Sequence, residues 1–298
     1  MIKTMTSRTH FQSAFPEKPS AIFLALLFGF TLLVEPGARA EGGKTTTPAA
    51  KLNKNLKKVV TPAQPVNQGF DHSHAAFKAL LEKNSTTQGS HTIVKYTELK
   101  ANPAALNAYL KTLEDLKKED FDRFTLDQKL TFWINAYNAF TIKLIVDHLP
   151  LKSIKDIGKP WKMEFFTLLG TQRSLDQVEH DIIRKDFQEP RVHLALVCAS
   201  KGCPALKGYA AEQLEQQLES VTRVFLQDPE RNRHDAAKKT IRIGKIFDWY
   251  GDDFKRKFGS VQNFVAPRMG KTPAEIAEIA SKDTDVEYND YDWSLNGI

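Results

Sequence analysis

The chain has 298 residues, enough for one large domain or two small ones. Its 41% hydrophobic and 26% charged residues are typical of a globular protein with a packed core. The net charge of +6 gives no support for a nucleic-acid partner, because five lysines fall between residues 44 and 58 and the rest of the chain mixes both signs. We interpret the basic stretch as a solvated linker.

The N-terminus has the three parts of a secretory signal peptide. Arg8 and Lys18 precede a 14-residue apolar run at residues 21–34, and Ala38-Arg39-Ala40 supplies a cleavage site between small residues. The run is shorter than the about 20 residues that a membrane-spanning helix needs. We expect cleavage after Ala40, a periplasmic or secreted mature protein and no transmembrane segment in it; an uncleaved signal anchor is the alternative.

Residues 41–69 are rich in Thr, Pro, Lys, Gly and Asn. Such a segment buries too little apolar area to offset its ordering entropy, so we predict a disordered basic linker. Apolar residues at helical spacing begin at Phe70 and predict a helix that ends near Asn84 and another over residues 103–118. Residues 70–298 are expected to form a single domain.

The clearest predicted element starts at Thr125, where Thr125-Leu126-Asp127-Gln128 forms a capping box. The apolar run that follows has no glycine or proline before Pro150, which predicts a long, buried central helix. Asn135 and Asn138 are neighbours on its surface, and their amides need hydrogen-bond partners. Either they tie the helix to a neighbouring loop, or one of them orients a catalytic group or a substrate.

Short strands are predicted after the central helix. Residues 161–175 suggest a hairpin that turns near Gly170, and a capping box beginning at Ser174 opens a short helix. Residues 191–197 are apolar and β-branched, and they predict a strand that ends at Cys198.

The remaining part of the domain has mainly helical patterns. Helices are predicted over about 211–227 and after Thr272, where Pro273 suits the first helical position. The aromatic C-terminus, residues 286–298, is expected to dock as a strand and tail. Helices outweigh strands, so we predict the α+β class: a single, mainly helical domain with a small antiparallel sheet.

Several function classes lack their motifs. The sequence has no Gly-rich phosphate loop, no HExxH and no GxSxG. Two cysteines with scattered histidines fall short of the four ligands of a structural zinc site. Asp71, His72 and His74 have ligand chemistry, but Asp71 more simply caps a helix start. We therefore expect neither a metal nor a cofactor.

Cys198 and Cys203 are the only cysteines, and two interpretations of them stay open. A disulfide needs Cα atoms about 4.4–6.8 Å apart, so the chain must turn between them, and Ser200, Lys201 and Gly202 permit a turn. The pair would then be a structural staple. Alternatively, Cys198 is a nucleophile whose pKa is lowered by a nearby imidazolium or lysine.

Two histidines could serve as the base for Cys198. His193 precedes it on the predicted strand, but strand alternation places the two side chains on opposite faces. His180 lies on its own helix and has no such restriction, and Glu179 or Asp253 could orient it. A buried histidine with satisfied hydrogen bonds is the structural alternative for both.

Five stretches resemble the signatures of the domain of unknown function 547 family, in matching order and spacing. They are FWINAYNAFTIKLI, LDQVEHDIIR, PRVHLALVCASKGCPAL, KIFDWYGDDF and YDWSLNG. The resemblance spans residues 90–298, with a family core at about 120–260. It implies an exported bacterial protein whose fold is distantly related to papain-like and transglutaminase-like cysteine hydrolases.

This resemblance implies that a set of polar residues lies together in one pocket. They are Asn135, Glu179, His180, His193, Cys198 and Cys203. Papain-like enzymes place their cysteine at the start of the central helix, and this chain has none there. The implied site is therefore either rearranged around Cys198 or has lost its chemistry.

We predict a cysteine-dependent hydrolase or acyl transferase that acts on an amide of an envelope peptide or polymer. Cys198 would attack, and His180 would carry the proton, with His193 as its substitute. Glu179 or Asp253 would orient the imidazole.

Asn135 or backbone N–H groups after Cys198 would hold the oxyanion. The alternative is a non-catalytic envelope binding module, in which the same polar residues stabilise the core and a Cys198–Cys203 disulfide is a staple.

Overall fold

A computed structural model describes residues 69–297 of the chain. These residues lie in one compact unit, Pro65–Ile298. The predicted signal peptide, its cleavage after Ala40 and the linker as far as residue 68 lie outside the described residues, so their boundaries stay predictions. Within residues 69–297, no helix is both long and apolar enough to cross a membrane.

Helices make up most of the described fold. The α-helices are α1 (Ala75–Asn84), α2 (Tyr96–Ala101), α3 (Ala104–Glu114), α4 (Lys118–Asp122), α5 (Leu126–His148), α6 (Leu214–Leu226), α7 (Ile246–Trp249), α8 (Gly251–Phe258), α9 (Val261–Met269) and α10 (Pro273–Ala280). Four short 3-10 helices span Ile154–Asp156, Pro190–Leu194, Ala211–Gln213 and Ala236–Lys238, and Gln177–Phe187 is a π-helix.

The strands are short and form three small sheets in the described part of the chain. Their bounds are β1 (Ser85–Gln88), β2 (His91–Val94), β3 (Phe166–Leu168), β4 (Thr171–Arg173), β5 (Arg233–Asp235), β6 (Thr240–Ile243) and β7 (Asp285–Tyr288). Two are antiparallel hairpins, β1–β2 and β3–β4. In the third, β6 pairs antiparallel with β5 and parallel with β7. The predicted α+β class is confirmed.

Helix α5 is the central element, as predicted. The hydroxyl of Thr125 accepts the backbone N–H of Gln128 at 3.2 Å, and the Gln128 amide accepts that of Thr125 at 2.9 Å, so the predicted capping box is formed. The helix ends at His148, before Pro150. Its side chains are buried on nearly every side, and α2, α3 and the π-helix contact it. Such a helix can carry buried amides to loops on several sides.

The predicted strand at residues 191–197 is wrong. Pro190 opens a 3-10 helix there, its fixed φ suiting a first helical position, and the carboxylate of Glu189 accepts the backbone N–H of Arg191. The alternation that separated His193 from Cys198 therefore does not apply, because no strand joins them.

Three other predicted local features are confirmed, whereas the helix predicted over residues 103–118 ends at Glu114. Hairpin β3–β4 turns at Leu169 and Gly170, with φ of 54° and 75°. Pro273 is the first residue of α10. The C-terminal segment forms β7 and then a tail that bridges Val94 and Ser200. This tail brings Tyr291 to the loop that carries the two cysteines.

His74 makes the stability of the fold dependent on pH. It is 2% exposed and its Nδ1 lies 2.8 Å from the Tyr109 hydroxyl. Burial lowers the pKa of His74 to about 4, whereas an unfolded histidine titrates near 6.5. The unfolded chain therefore binds a proton first as the pH falls. We expect a loss of about 2 kcal/mol of unfolding free energy between pH 7 and pH 5 from this group.

The measurement is urea unfolding at both pH values, with His74→Asn as the comparison. Asparagine tolerates the left-handed backbone of this position, where φ is 50°, and it does not titrate. The variant should lose about 2 kcal/mol less than the natural chain between pH 7 and pH 5. An identical loss in both proteins would contradict the assignment to His74.

Candidate functional site

The loop that carries the cysteines starts from a clamp on α5. The Asn138 amide nitrogen donates to the carbonyl of Ala195 at 2.9 Å, and its oxygen accepts the N–H of Val197 at 3.0 Å. The side chain is fully buried. The chain then passes through Ala199 in a left-handed conformation, with φ of 57°. Asn138 thus fixes the backbone immediately before Cys198.

The turn between the cysteines is held from two further sides. The guanidinium of Arg231 donates to the carbonyls of Gly202 and Lys201, both at 2.7 Å. Carbonyls of tail residues 292–294 accept the N–H groups of the same two residues at 2.8 Å. A Cβ atom at Gly202 would lie 2.7 Å from the Tyr291 ring, so the close approach of this ring requires glycine.

Four polar atoms meet at the centre of this loop: the sulfurs of Cys198 and Cys203, the hydroxyl of Ser200 and that of Tyr291. All six distances between them fall between 3.0 and 3.3 Å. We call these residues the thiol cluster. Both cysteines are free thiols with their sulfurs 3.1 Å apart. The predicted disulfide is therefore open in this structure, with its two partners already in contact.

Hydrogen bonds assign the negative charge of the thiol cluster to Cys203. Its sulfur accepts the backbone N–H of Cys198 at 3.0 Å and the hydroxyl of Tyr291 at 3.2 Å. The Ser200 hydroxyl donates in turn to that of Tyr291. If Cys203 is the thiolate, the S–H of Cys198 also has it as an acceptor, at 3.1 Å.

The pKa values of the two thiols diverge for the same reason. Burial tends to raise the pKa of Cys203, but its hydrogen-bonding contacts with Cys198, Ser200 and Tyr291 outweigh burial and bring the pKa to about 6. Hydrogen bonding to Cys203 and burial raise the pKa of Cys198 well above its ordinary value. At neutral pH the pair is therefore one thiolate and one thiol.

A cleft of about 750 Å³ gives access to the thiol cluster. Cys203, Ser200 and Tyr291 line it, together with Ile93 of β2 and Arg231. A cleft of this size is within the range of about 300–1,000 Å³ that holds drug-sized ligands. Cys203, which is 3% exposed, thus lines a cavity that can admit a substrate.

A second group of polar residues lies in the core, and we call it the carboxylate cluster. His193 Nε2 lies 2.9 Å from the carboxylate of Asp253, which Arg184 binds through two nitrogens at 2.7 and 3.0 Å. The Tyr250 hydroxyl donates to Glu179 at 2.5 Å, and its ring stacks on the His193 imidazole at a centroid distance of 3.5 Å. Four of the five side chains are buried; Arg184 is half-buried.

The carboxylate cluster holds a neutral imidazole against charged partners. Burial opposes ionisation of Asp253, but hydrogen bonds from His193 and Arg184 hold its pKa well below the ordinary value. Burial also lowers the pKa of His193. The Nδ1 of His193 lies 3.9 Å from Glu179 and has no hydrogen-bond partner among residues 69–297. Asp253 therefore orients His193, the histidine predicted as the substitute base.

Tyr250 stays a neutral phenol within the carboxylate cluster. Burial raises its pKa well above the ordinary value, and the negative charge of Glu179 raises it further. The sulfur of Cys198, however, has Ser200, Cys203 and Tyr291 within hydrogen-bond distance rather than an imidazole.

The predicted pair of Cys198 and His180 is not formed. His180 Nδ1 lies 3.0 Å from Arg184, and its Nε2 lies 3.8 Å from Asp176. The imidazole is thus directed at groups of its own helix. His193, the substitute base, is bound to Asp253. A direct proton transfer from Cys198 to either histidine needs a conformation other than this one.

Asn135 ties α5 to a neighbouring segment of the chain, which is the first of the two roles predicted for it. Its amide nitrogen donates to the carbonyl of Tyr209 at 2.9 Å, and its oxygen accepts the N–H of the same residue at 2.9 Å. The side chain is fully buried and ties α5 to the chain after Cys203. With both amide groups bonded in this way, Asn135 is a brace, and the geometry favours no oxyanion role for it.

Sequence reasoning missed Tyr291, Arg231 and the specific function of Asn138. Tyr291 lies in the YDWSLNG stretch, which the family resemblance did mark, but nothing local links it to cysteines 88 and 93 positions away. Among the described residues, no three His, Cys, Asp or Glu side chains are grouped to hold a metal ion.

Comparison with known families assigns part of the chain. Residues 121–226 match the model of a family described as "Protein of unknown function, DUF547". This segment of the chain is therefore similar to DUF547 proteins. The match includes both cysteines, His180 and Asn138, and it ends before Tyr291. Searches of curated proteins and of solved structures return no match, so the relation of this chain to papain-like enzymes stays a prediction.

Proposed function

We propose that the protein is a thiol–disulfide exchange enzyme that uses Cys203 as its attacking thiolate and Cys198 as its resolving thiol. The observation that carries this proposal is the contact of two unlike sulfurs, 3.1 Å apart, of which one belongs to Cys203, a residue that lines a cleft. Disulfide exchange needs a thiolate at ambient pH and a second thiol within reach, and it needs no imidazole base.

The reaction balances with the two cysteines alone. The Cys203 thiolate attacks one sulfur of a substrate disulfide, forming a mixed disulfide and releasing the other sulfur as a thiolate. Cys198 then loses its proton to that thiolate or to water, and its sulfur attacks Cys203. The Cys198–Cys203 disulfide forms and the second substrate thiol leaves. The dithiol supplies two electrons, and the substrate disulfide is reduced to two thiols.

The predicted export would set the direction of exchange. If residues 1–40 are a cleaved signal peptide, the mature protein acts in an oxidising compartment, where disulfides persist. The pair would then be oxidised between turnovers and would either donate its disulfide to client thiols or require a reductant. The substrate would be a disulfide or thiol of an envelope protein.

Acyl transfer, as in the predicted hydrolase or acyl transferase, is a second candidate that uses the same thiolate. The specific observation in its favour is Tyr291. Its hydroxyl lies 3.2 Å from each sulfur, and burial raises the pKa of this phenol well above the ordinary value. A neutral phenol in this position could protonate the leaving amine as the tetrahedral intermediate on Cys203 collapses to a thioester. The nucleophile would again be Cys203 rather than Cys198.

The non-catalytic binding module is the remaining alternative. A structural staple requires the two sulfurs to meet, but it requires neither unequal pKa values nor a cleft at the sulfur. Those two features favour a catalytic role of the two cysteines over a purely structural one.

The test treats the reduced protein with glutathione disulfide and follows intact mass. We expect the natural chain to lose two hydrogen atoms and retain no glutathione, and Cys198→Ser to accumulate a mixed disulfide on Cys203. A parallel incubation with p-nitrophenyl acetate should leave no stable acetyl group. Acetylation of Cys203 without disulfide exchange would favour acyl transfer, and inertness towards both reagents would favour the binding module.

A further inference from the structure

The cleft beside the thiol cluster has an exposed apolar side chain on one wall. Ile93 on β2 is 53% exposed, and it is one of two large hydrophobic residues with such exposure in the described part of the chain; the other is Leu126, at 72%. Ile93 lines the cleft, whereas Leu126 lies at the start of α5 and does not. The cleft that Cys203 lines therefore also presents an exposed apolar side chain.

Charges of both signs surround this apolar wall. The cleft is lined by cationic Lys201, Arg231 and Lys245 and by anionic Glu230, Asp290 and Asp292. Arg231 is engaged with the carbonyls of the cysteine loop, and Lys245 forms an ion pair with Asp248 at 2.7 Å. A uniformly charged polymer would meet repulsion from one set of these groups, whereas a neutral peptide chain would not.

We propose that the cleft binds a polypeptide segment with an apolar residue next to its cysteine, seated on Ile93, and that this segment is the disulfide substrate. This inference rests on the proposed exchange function. Cys203 lines the cleft at the turn 201–203, so a segment bound there would have its own cysteine in the same cleft as Cys203. The volume of about 750 Å³ exceeds the need of a single cystine and suits several residues.

The chemistry distinguishes this substrate class from small disulfides. A hydrophilic disulfide gains nothing from Ile93 and would react only as fast as the exposure of Cys203 permits. A segment that buries an apolar side chain on Ile93 gains binding free energy from the area removed from water. Such a segment would therefore react with a higher second-order rate constant of exchange than a hydrophilic disulfide.

The experiment uses two disulfide-linked peptide dimers that differ only in the residues flanking cysteine. Both are acetylated and amidated; one has the sequence Gly-Leu-Cys-Leu-Gly and the other Gly-Ser-Cys-Ser-Gly. The reduced full chain is mixed with each, and formation of the Cys198–Cys203 disulfide is followed by quenched mass spectrometry. We expect the leucine dimer to react about tenfold faster than the serine dimer.

Ile93→Thr is expected to remove this preference, because threonine keeps the β-branched shape and replaces the apolar surface with a hydroxyl. The matched control Leu126→Ser removes the other exposed hydrophobic residue and should retain the preference. Equal rates for the two dimers, or a preference that survives in Ile93→Thr, would overturn the inference while leaving exchange intact. Reaction with neither dimer would instead overturn the exchange function.

Discussion

Cys203→Ser is expected to lower the rate of alkylation by iodoacetamide at pH 5 by about 20-fold. The thiol that remains, Cys198, loses its sulfur neighbour and should return towards the ordinary pKa of about 8.5. At pH 5 it is then ionised several hundredfold less than a thiol with the pKa of about 6 found for Cys203. The greater intrinsic nucleophilicity of a more basic thiolate recovers only part of this difference.

Cys198→Ser is the matched comparison, because it removes the other sulfur of the same pair. The backbone N–H of residue 198 and the Tyr291 hydroxyl remain as donors to Cys203, so the thiolate should persist. We expect its alkylation rate at pH 5 to stay within about threefold of the natural rate. The opposite pattern, with Cys198→Ser inert and Cys203→Ser reactive, would return the nucleophile to Cys198, where the sequence analysis placed it.

Asn138→Ala and Asn135→Ala are expected to destabilise the fold by similar amounts but to affect the thiol cluster differently. Each asparagine is fully buried and holds one backbone donor and one backbone acceptor of a loop. Truncation leaves those groups unsatisfied at about 1–3 kcal/mol each, so we expect a loss of about 2–5 kcal/mol in either variant. Urea unfolding measures this loss.

Only Asn138→Ala should raise the pKa of Cys203, by about one unit. Asn138 fixes Val197, whose neighbour Cys198 donates its N–H to the Cys203 sulfur, whereas Asn135 fixes Tyr209, beyond the thiol cluster. The readout is the midpoint of the alkylation rate against pH, with a stabilising osmolyte present to keep both variants folded. Equal shifts in the two variants would reduce Asn138 to a general stabiliser of the core.

Local signals account for what the sequence predicted well. The capping box at Thr125, the turn at Gly170 and the proline that opens α10 each depend on residues within a few positions of one another. Such features are decided by backbone preferences that the surrounding fold does not need to supply. The burial of α5 was also predictable, because its apolar residues cover nearly the whole helix surface.

The strand predicted at residues 191–197 failed because tertiary contacts outweighed β propensity. The guanidinium of Arg191 binds Glu189 and, 24 residues away, Glu215. The Asn138 amide takes the backbone groups of Ala195 and Val197 that a sheet would use. Apolar, β-branched residues are common to strands and to any fully buried segment, so the pattern alone could not separate them.

The residues of the candidate site were predictable, but the contacts between them were not. The sequence analysis singled out both cysteines, His193, Glu179 and Asp253, and the structure places the last three in one cluster. For the group that lowers the pKa of the nucleophilic cysteine, an imidazolium, a lysine or a helix N-terminus was expected. The stabilising donors are instead a phenol and a backbone N–H, whose arrival at Cys203 depends on the fold. A backbone N–H donor cannot be recognised from the sequence, because nearly every residue type carries one.

The most direct test of the central claim is a titration of thiolate in the reduced natural chain, read from the alkylation rate of Cys203 between pH 4 and pH 10 with peptide mapping of the labelled cysteine. The account predicts that Cys203 is labelled first and that its rate rises with a midpoint near pH 6, as the lowered pKa requires. A midpoint above about 8.5, the value of an ordinary cysteine, would mean that the thiol cluster holds no thiolate at neutral pH. That result would contradict both proposed chemistries and leave the two cysteines as structural residues.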